Sequence, residues 1–128
     1  MSTEMIQQAV VDYFAATRAM NAQAWVATMA EDVESHDPVG SPVKKGHAAM
    51  LEFFAGIAGA FETVGLTPDQ IFIAGNEAAV KWTGRGTGKN GRTVTFEGID
   101  ILEVNAAGKI QTIKGYWDPA AMMAELQN

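Results

Sequence analysis

A chain of 128 residues, 48% hydrophobic and 19% charged, can bury one core and falls in the range of a single globular domain. A formal charge of −6, with nine scattered Lys and Arg, argues against the clustered basic surface that nucleic acid or an anionic membrane requires. The lack of cysteine removes disulfides, thiolate metal sites and a cysteine nucleophile, while no apolar run nears the ~18 residues of a membrane span and no signal segment opens the chain, which predicts a cytoplasmic protein.

Ser2 or Thr3 can cap a first helix, along which Ile6, Val10, Tyr13, Thr17 and Met20 recur at three- and four-residue spacing. Tyr13 therefore lies inside the apolar stripe, either as a core tyrosine or as a donor pointing into a cavity. Asn21 starts a shorter helix with Trp25, Val26 and Met29, predicted to end near Glu31-Asp32. Residues 32–36 read as extended, Asp37 through Pro42 as a turn, and Gly46 to about Phe61 as a third helix with Met50, Phe53, Phe54 and Ile57 on its apolar side. His47, in the first turn of that helix, reads as a solvated group. Neither it nor His36 has a partner at metal-binding spacing, so no metal is expected.

Beyond Gly65 the period changes to that of strands. Ile71-Phe72-Ile73 is a strand core, and Ala78–Thr87 and Arg92–Val104 are strands joined by the turn Gly88-Lys89-Asn90-Gly91. Asn105–Gly108 turns into a last strand, Lys109–Trp117, and Asp118 with Pro119 opens a short C-terminal helix.

Two acids stand out. Asp37 precedes a proline, which biases its backbone toward an extended form and stiffens the corner, although an Asp before Pro and Gly also serves as an ordinary turn residue. Asp100 shares a strand face with Val94, Phe96, Gly98, Leu102 and Val104. If that face points inward, Asp100 is a carboxyl group among hydrocarbon, where protonation is favoured over charge. A four-residue turn pairs Val104 with Lys109, and so predicts Asp100 opposite Ile113 and Phe96 opposite Trp117. A one-residue slip would instead turn the acid outward.

Three helices followed by a curved, mostly antiparallel sheet and a short C-terminal helix is the order of the cone-shaped α+β fold of nuclear transport factor 2-like proteins. Within that superfamily the chain resembles the Δ5-3-ketosteroid isomerases. The likeness is carried by the helix around Tyr13, by Glu34 to Gly46 with its Asp37-Pro38-Val39-Gly40, and by Gly98-Ile99-Asp100 through Gly108-Lys109-Ile110-Gln111-Thr112 to Tyr116-Trp117. It implies a cofactor-independent isomerase, a homodimer, acting on a small hydrophobic, steroid-like substrate. Asp37 would be the general base, Tyr13 and a protonated Asp100 the donors to the oxyanion. These isomerases are a known instance of a neutral carboxylic acid used as a donor, so the roles are carried over from the family. Trp117, Phe54, Phe96, Trp82 and Met50 are candidate walls of the substrate pocket.

The chain departs from the family where some isomerases back the oxyanion tyrosine with further tyrosines, because Met29 and Phe54 stand at the positions that align. Two alternatives remain: a polyketide-cyclase-like or epoxide-hydrolase-like enzyme of the same fold, and a non-catalytic binding or dimerisation module. A hydrolase of this kind uses an arginine between two acids, whereas Arg85 and Arg92 both fall near a predicted hairpin.

Overall fold

The Ser2 hydroxyl accepts from the Met5 N–H at 3.1 Å and caps the first helix. In the computed structural model, which describes residues 2–127, this helix (α1, Thr3–Arg18) buries Ile6, Val10, Tyr13 and Phe14 along one side. Thr17 clamps the helix end to the sheet: its hydroxyl donates to the Phe14 carbonyl at 2.6 Å and accepts from the Leu66 N–H at 3.0 Å. Arg18 adds a bond from Nη1 to the Leu66 carbonyl at 2.8 Å.

The second helix (α2, Ala22–Val26) is capped by Asn21 and stops well before the predicted Glu31-Asp32. Met29 instead opens a strand (β1, Met29–His36), because pairing with Ile110 claims its backbone. A two-residue strand (β2, Lys44–Lys45) leads into α3 (Gly46–Ala58), which ends early because Phe61 already begins β3 (Phe61–Ala74). Then follow β4 (Glu77–Gly88), β5 (Thr93–Val104), β6 (Ile110–Tyr116) and α4 (Pro119–Gln127). Asp118 caps α4 as expected, Oδ1 accepting from the Ala121 N–H at 3.0 Å.

The six strands lie in the order β2-β1-β6-β5-β4-β3, antiparallel except for the parallel pair β1–β6. Irregularities in β1, twice in β3, and between Glu103 and Val104 of β5 bend the sheet into a curved wall. Its inner face, with Val80, Trp82, Leu102, Val104, Ile110 and Ile113, packs against α1, α2 and Met50 of α3 to form the main core. A smaller cluster of Phe61, Val94, Met122 and Leu126 seats α4 against the far end of the sheet.

One predicted register moves by two residues, one because the loop after β5 is a residue longer than expected and one because of the bulge. Val104 pairs with Ile110, Leu102 takes Ile113, and Asp100 lies opposite Gly115. The displacement at Asp100 is even, so the acid keeps the inward face that the alternation assigns it. His47 is half-buried and not solvated as expected: its Nε2–H donates to the Met29 carbonyl at 3.0 Å. Among the described residues no helix is long and apolar enough to cross a membrane.

Candidate active site

Between the sheet and the helices lies a cavity of about 620 Å3, its mouth included, within the range of small-molecule pockets. Ile57, Val64, Leu66 and the rings of Phe53, Phe54 and Phe96 make most of it apolar. Side chains with polar atoms among its lining are Tyr13, Thr17, Asp37, Asp100 and the indoles of Trp25, Trp82 and Trp117. The three residues predicted from sequence as a functional set therefore meet in one hollow. Of the predicted walls, Trp117, Phe54, Phe96 and Trp82 line it. Met50 does not; it is fully buried in the main core.

Asp37 follows the last residue of β1 at the corner where the chain leaves the sheet, and the Val39 N–H returns to the Gly115 carbonyl at 2.8 Å to close that corner. Its Oδ1 accepts from the Trp117 indole N–H at 2.7 Å, and its main-chain carbonyl accepts from Lys44 Nζ at 3.1 Å. Lys44 is held in turn over the Phe53 ring, 4.7 Å from its centroid. Asp37 is 7% exposed. Burial raises its pKa above the ordinary carboxylate value, and the Trp117 bond and the Lys44 charge pull the other way.

Asp100 sits mid-strand on β5, between Val80 of β4 and Gly115 of β6, and is 2% exposed. Burial pushes its pKa well above the ordinary carboxyl value, and the negative charge of Asp37 pushes it further. Tyr13, also 2% exposed, has its phenol pKa raised well above the ordinary value by burial and then by Asp100 and Asp37. The indoles of Trp82 and Trp25 oppose these shifts at Asp100 and Tyr13 respectively, although among the described residues neither N–H has a partner in hydrogen-bond geometry. The site therefore holds two carboxyls unequal in their hold on a proton and a phenol that stays neutral.

Three contributors escape sequence reasoning. Trp117 is expected only as a wall, and nothing in the order of residues shows its N–H reaching across to Asp37. Gly115 lets the two acids approach: a Cβ there would lie 2.5 Å from Asp37 Oδ1 and 3.3 Å from Asp100 Oδ1. Gly98 plays a similar part for the rings, since a Cβ would meet Trp82 at 2.5 Å and Trp117 at 2.8 Å. The signal available for both was a glycine on the inner face of a strand, which marks a close approach. Among the described residues no three His, Asp or Glu side chains converge as a metal site would need.

Helices laid on a strongly curved, six-stranded sheet around a pocket with buried acids define the nuclear transport factor 2-like class. The family model of the SnoaL-like domain matches residues 10–113, and the chain belongs to that family. It is 32% identical over 124 residues to a steroid Δ-isomerase of Nocardioides simplex, covering 96% of this chain and 97% of the relative. Among solved structures it is similar to SalBIII, an epoxide hydrolase/cyclase-like enzyme in pyran ring formation in the polyether salinomycin (25% identity, TM-score 0.81, 91% of this chain and 92% of that one). It is also similar to RV0760c of Mycobacterium tuberculosis, solved in complex with estradiol-17β-hemisuccinate (26% identity, TM-score 0.80, 92% and 96% covered).

Proposed function

We propose that the chain is a cofactor-independent isomerase that moves a C=C bond from the β,γ to the α,β position of a ketone, in a 3-oxo-Δ5 steroid or a similar fused-ring compound. Asp37, as carboxylate, removes a proton from the carbon between the carbonyl and the double bond. The electron pair of that C–H bond passes into the conjugated system, and negative charge grows on the ketone oxygen. Tyr13 and protonated Asp100 each donate a hydrogen bond to that oxygen. Asp37, now the acid, returns the same proton to the γ-carbon, which restores the carbonyl and leaves the enone. A single carboxylate can serve both positions because the apolar pocket keeps water from the proton in transit.

The observation that carries this proposal is the inequality of the two acids in one hollow. One is anchored by a donor beside a cation, the other is sunk in hydrocarbon next to a neutral phenol. The identity to a steroid Δ-isomerase over nearly the whole chain supports the same reaction class. A hydrolase or cyclase related to SalBIII is less well supported, because among the described residues no arginine lines the cavity. Arg85 is on the outer face of β4, and Arg92 is spent on the Glu125 carbonyl, its Nε donating at 3.1 Å.

The test is the rise of conjugated-enone absorbance when the purified protein meets a 3-oxo-Δ5 steroid; a protein that binds the steroid and leaves its ultraviolet spectrum unchanged refutes the isomerase. We further propose a homodimer formed through the outer face of the sheet. Phe72 (66% exposed), Ile99 (45%) and Tyr116 (49%) lie there, Ile99 directly opposite Tyr116. Ile99→Lys should then lower the mass seen in sedimentation to that of one chain.

A further inference from the structure

We infer, on the basis of the isomerase chemistry proposed above, that the indole N–H groups of Trp25 and Trp82 form a second row of donors behind Tyr13 and Asp100. Each is a positioning residue that aims and strengthens the hydroxyl in front of it. Trp25 and Trp82 are 3% and 2% exposed, both line the cavity, and neither indole N–H has a partner among the described residues. An indole nitrogen can only donate, and a buried donor with nothing to bond is costly enough to call for an explanation.

The surroundings narrow the acceptors. The Trp25 ring lies 5.6 Å from that of Tyr13, centroid to centroid and tilted by 45°, and its other ring neighbours are Phe53 and Phe54, which accept nothing. Trp82 faces Phe96 and Trp117 at 5.9 Å each, both without an acceptor. On the sheet it lies opposite Gly98, while Asp100 lies opposite Val80. That makes Trp82 and Asp100 diagonal neighbours on one face, within reach of each other for a long side chain.

The chemistry of the acceptors fits. A phenol oxygen that accepts an indole N–H has its own hydrogen left for the ligand. A protonated carboxyl that accepts on one oxygen has the O–H of the other free. Accepting a bond also makes each hydroxyl a better donor, since bonds in a chain polarise one another. In the structure these contacts fall outside hydrogen-bond geometry. They tighten as charge grows on the ligand oxygen, in the way catalytic bonds commonly do between free enzyme and complex. The indoles thus take over the support that tyrosines give in related isomerases and that Met29 and Phe54 cannot supply here.

Two readouts test this separately from the isomerase proposal. Trp25→Phe and Trp82→Phe should each lower kcat for a 3-oxo-Δ5 steroid by about tenfold, the kinetic worth of one hydrogen bond, with KM little changed. The loss from Trp25→Phe should vanish in a Tyr13→Phe background, and that from Trp82→Phe in an Asp100→Leu background. Independently of turnover, a phenolic steroid bound in the site should be less ionised in each tryptophan variant, read from its absorbance across pH.

If wild type does not isomerise the steroid but the variants suppress ionisation of the bound phenol, the isomerase proposal fails and the second row stands. If wild type isomerises while kcat and phenol ionisation are unchanged in both variants, or if the losses persist in the double variants, the second row is wrong. A wild type that neither turns over steroid nor binds phenol overturns both. Should a phenylalanine variant fail to fold, site-specific 3-benzothienylalanine keeps the bicycle and deletes only the N–H, with the same outcomes expected.

Discussion

The corner after β1 and the middle of β5 hold the same functional group in opposite conditions. At the corner, Asp37 has an indole donor on one oxygen and an ammonium group within reach of its backbone. In mid-strand, Asp100 has Val80 on one side and Gly115 on the other. Both carboxyls are buried, so desolvation raises both; what separates them is what each neighbourhood gives back to the charged form. The difference teaches that burial alone does not assign a role. A base and an acid are made from one residue type by setting a cation near one and leaving the other to feel the charge of the first.

The comparison breaks most completely at Asp37. Asp37→Asn keeps the size and the Trp117 contact surface but removes the base, and turnover should fall at least about 10²–10⁴-fold while binding of a phenolic steroid persists. Steady-state kinetics and a binding titration check both halves. On the other side, Asp100→Leu or Tyr13→Phe deletes one donor to the oxyanion and should lower kcat by about 10²–10³-fold with less effect on KM. Gly115→Ala attacks the point where the two regions touch. The added methyl displaces the Asp37 carboxylate, and a displacement of that size should cost on the order of 10²-fold in kcat, with the melting temperature moved much less.

Two milder changes sharpen the contrast without abolishing it. Trp117→Phe removes the bond that favours the carboxylate form of Asp37, so the pKa of that acid rises further and the acid limb of the pH–rate profile moves to higher pH. Unchanged limbs in that variant would mean the indole does not set the base. For Asp100 the readout is stability. A carboxyl whose folded pKa is raised contributes fully below the unfolded value, about 4, and loses that contribution as pH rises through the folded value. Asn at 100 does not titrate. Asp100→Asn should thus be the more stable protein at neutral pH, by roughly 1–3 kcal/mol in denaturant titrations, with the advantage shrinking as the medium is acidified toward pH 4.

The two acids also differ in how far the sequence discloses them. Asp100 is legible because period-two alternation is local: five apolar or glycine neighbours on one face assign its side. Tyr13 is legible for the same reason on a helix. What eludes the sequence is long-range. The parallel pairing of β1 with β6 turns Met29 from helix to strand, and a loop one residue longer than expected together with a bulge moves Gly115 into the place expected of Ile113. Most of β3 also goes unseen, because Thr63, Gly65, Thr67 and Pro68 interrupt any alternation and its irregularities let the pairing with β4 continue through them. Wall residues do not divide by element type: Trp82 and Phe96 on strand faces, Phe54 on α3 and Trp117 just past β6 all line the cavity, whereas Met50, one turn before Phe54 on α3, is taken by the core.

Trp117 belongs to two neighbourhoods at once. Its nitrogen holds Asp37, while its ring rests against the cluster that Met122 and Leu126 of α4 build with Phe61 and Val94. The protonation of the base is consequently tied to how firmly the final helix is seated. Converting Met122 to its sulfoxide, or trimming Leu126, would loosen a side chain remote from the chemistry and still let solvent reach the carboxylate, so that wear on the closing helix would register first as a drift in the pH at which the protein works.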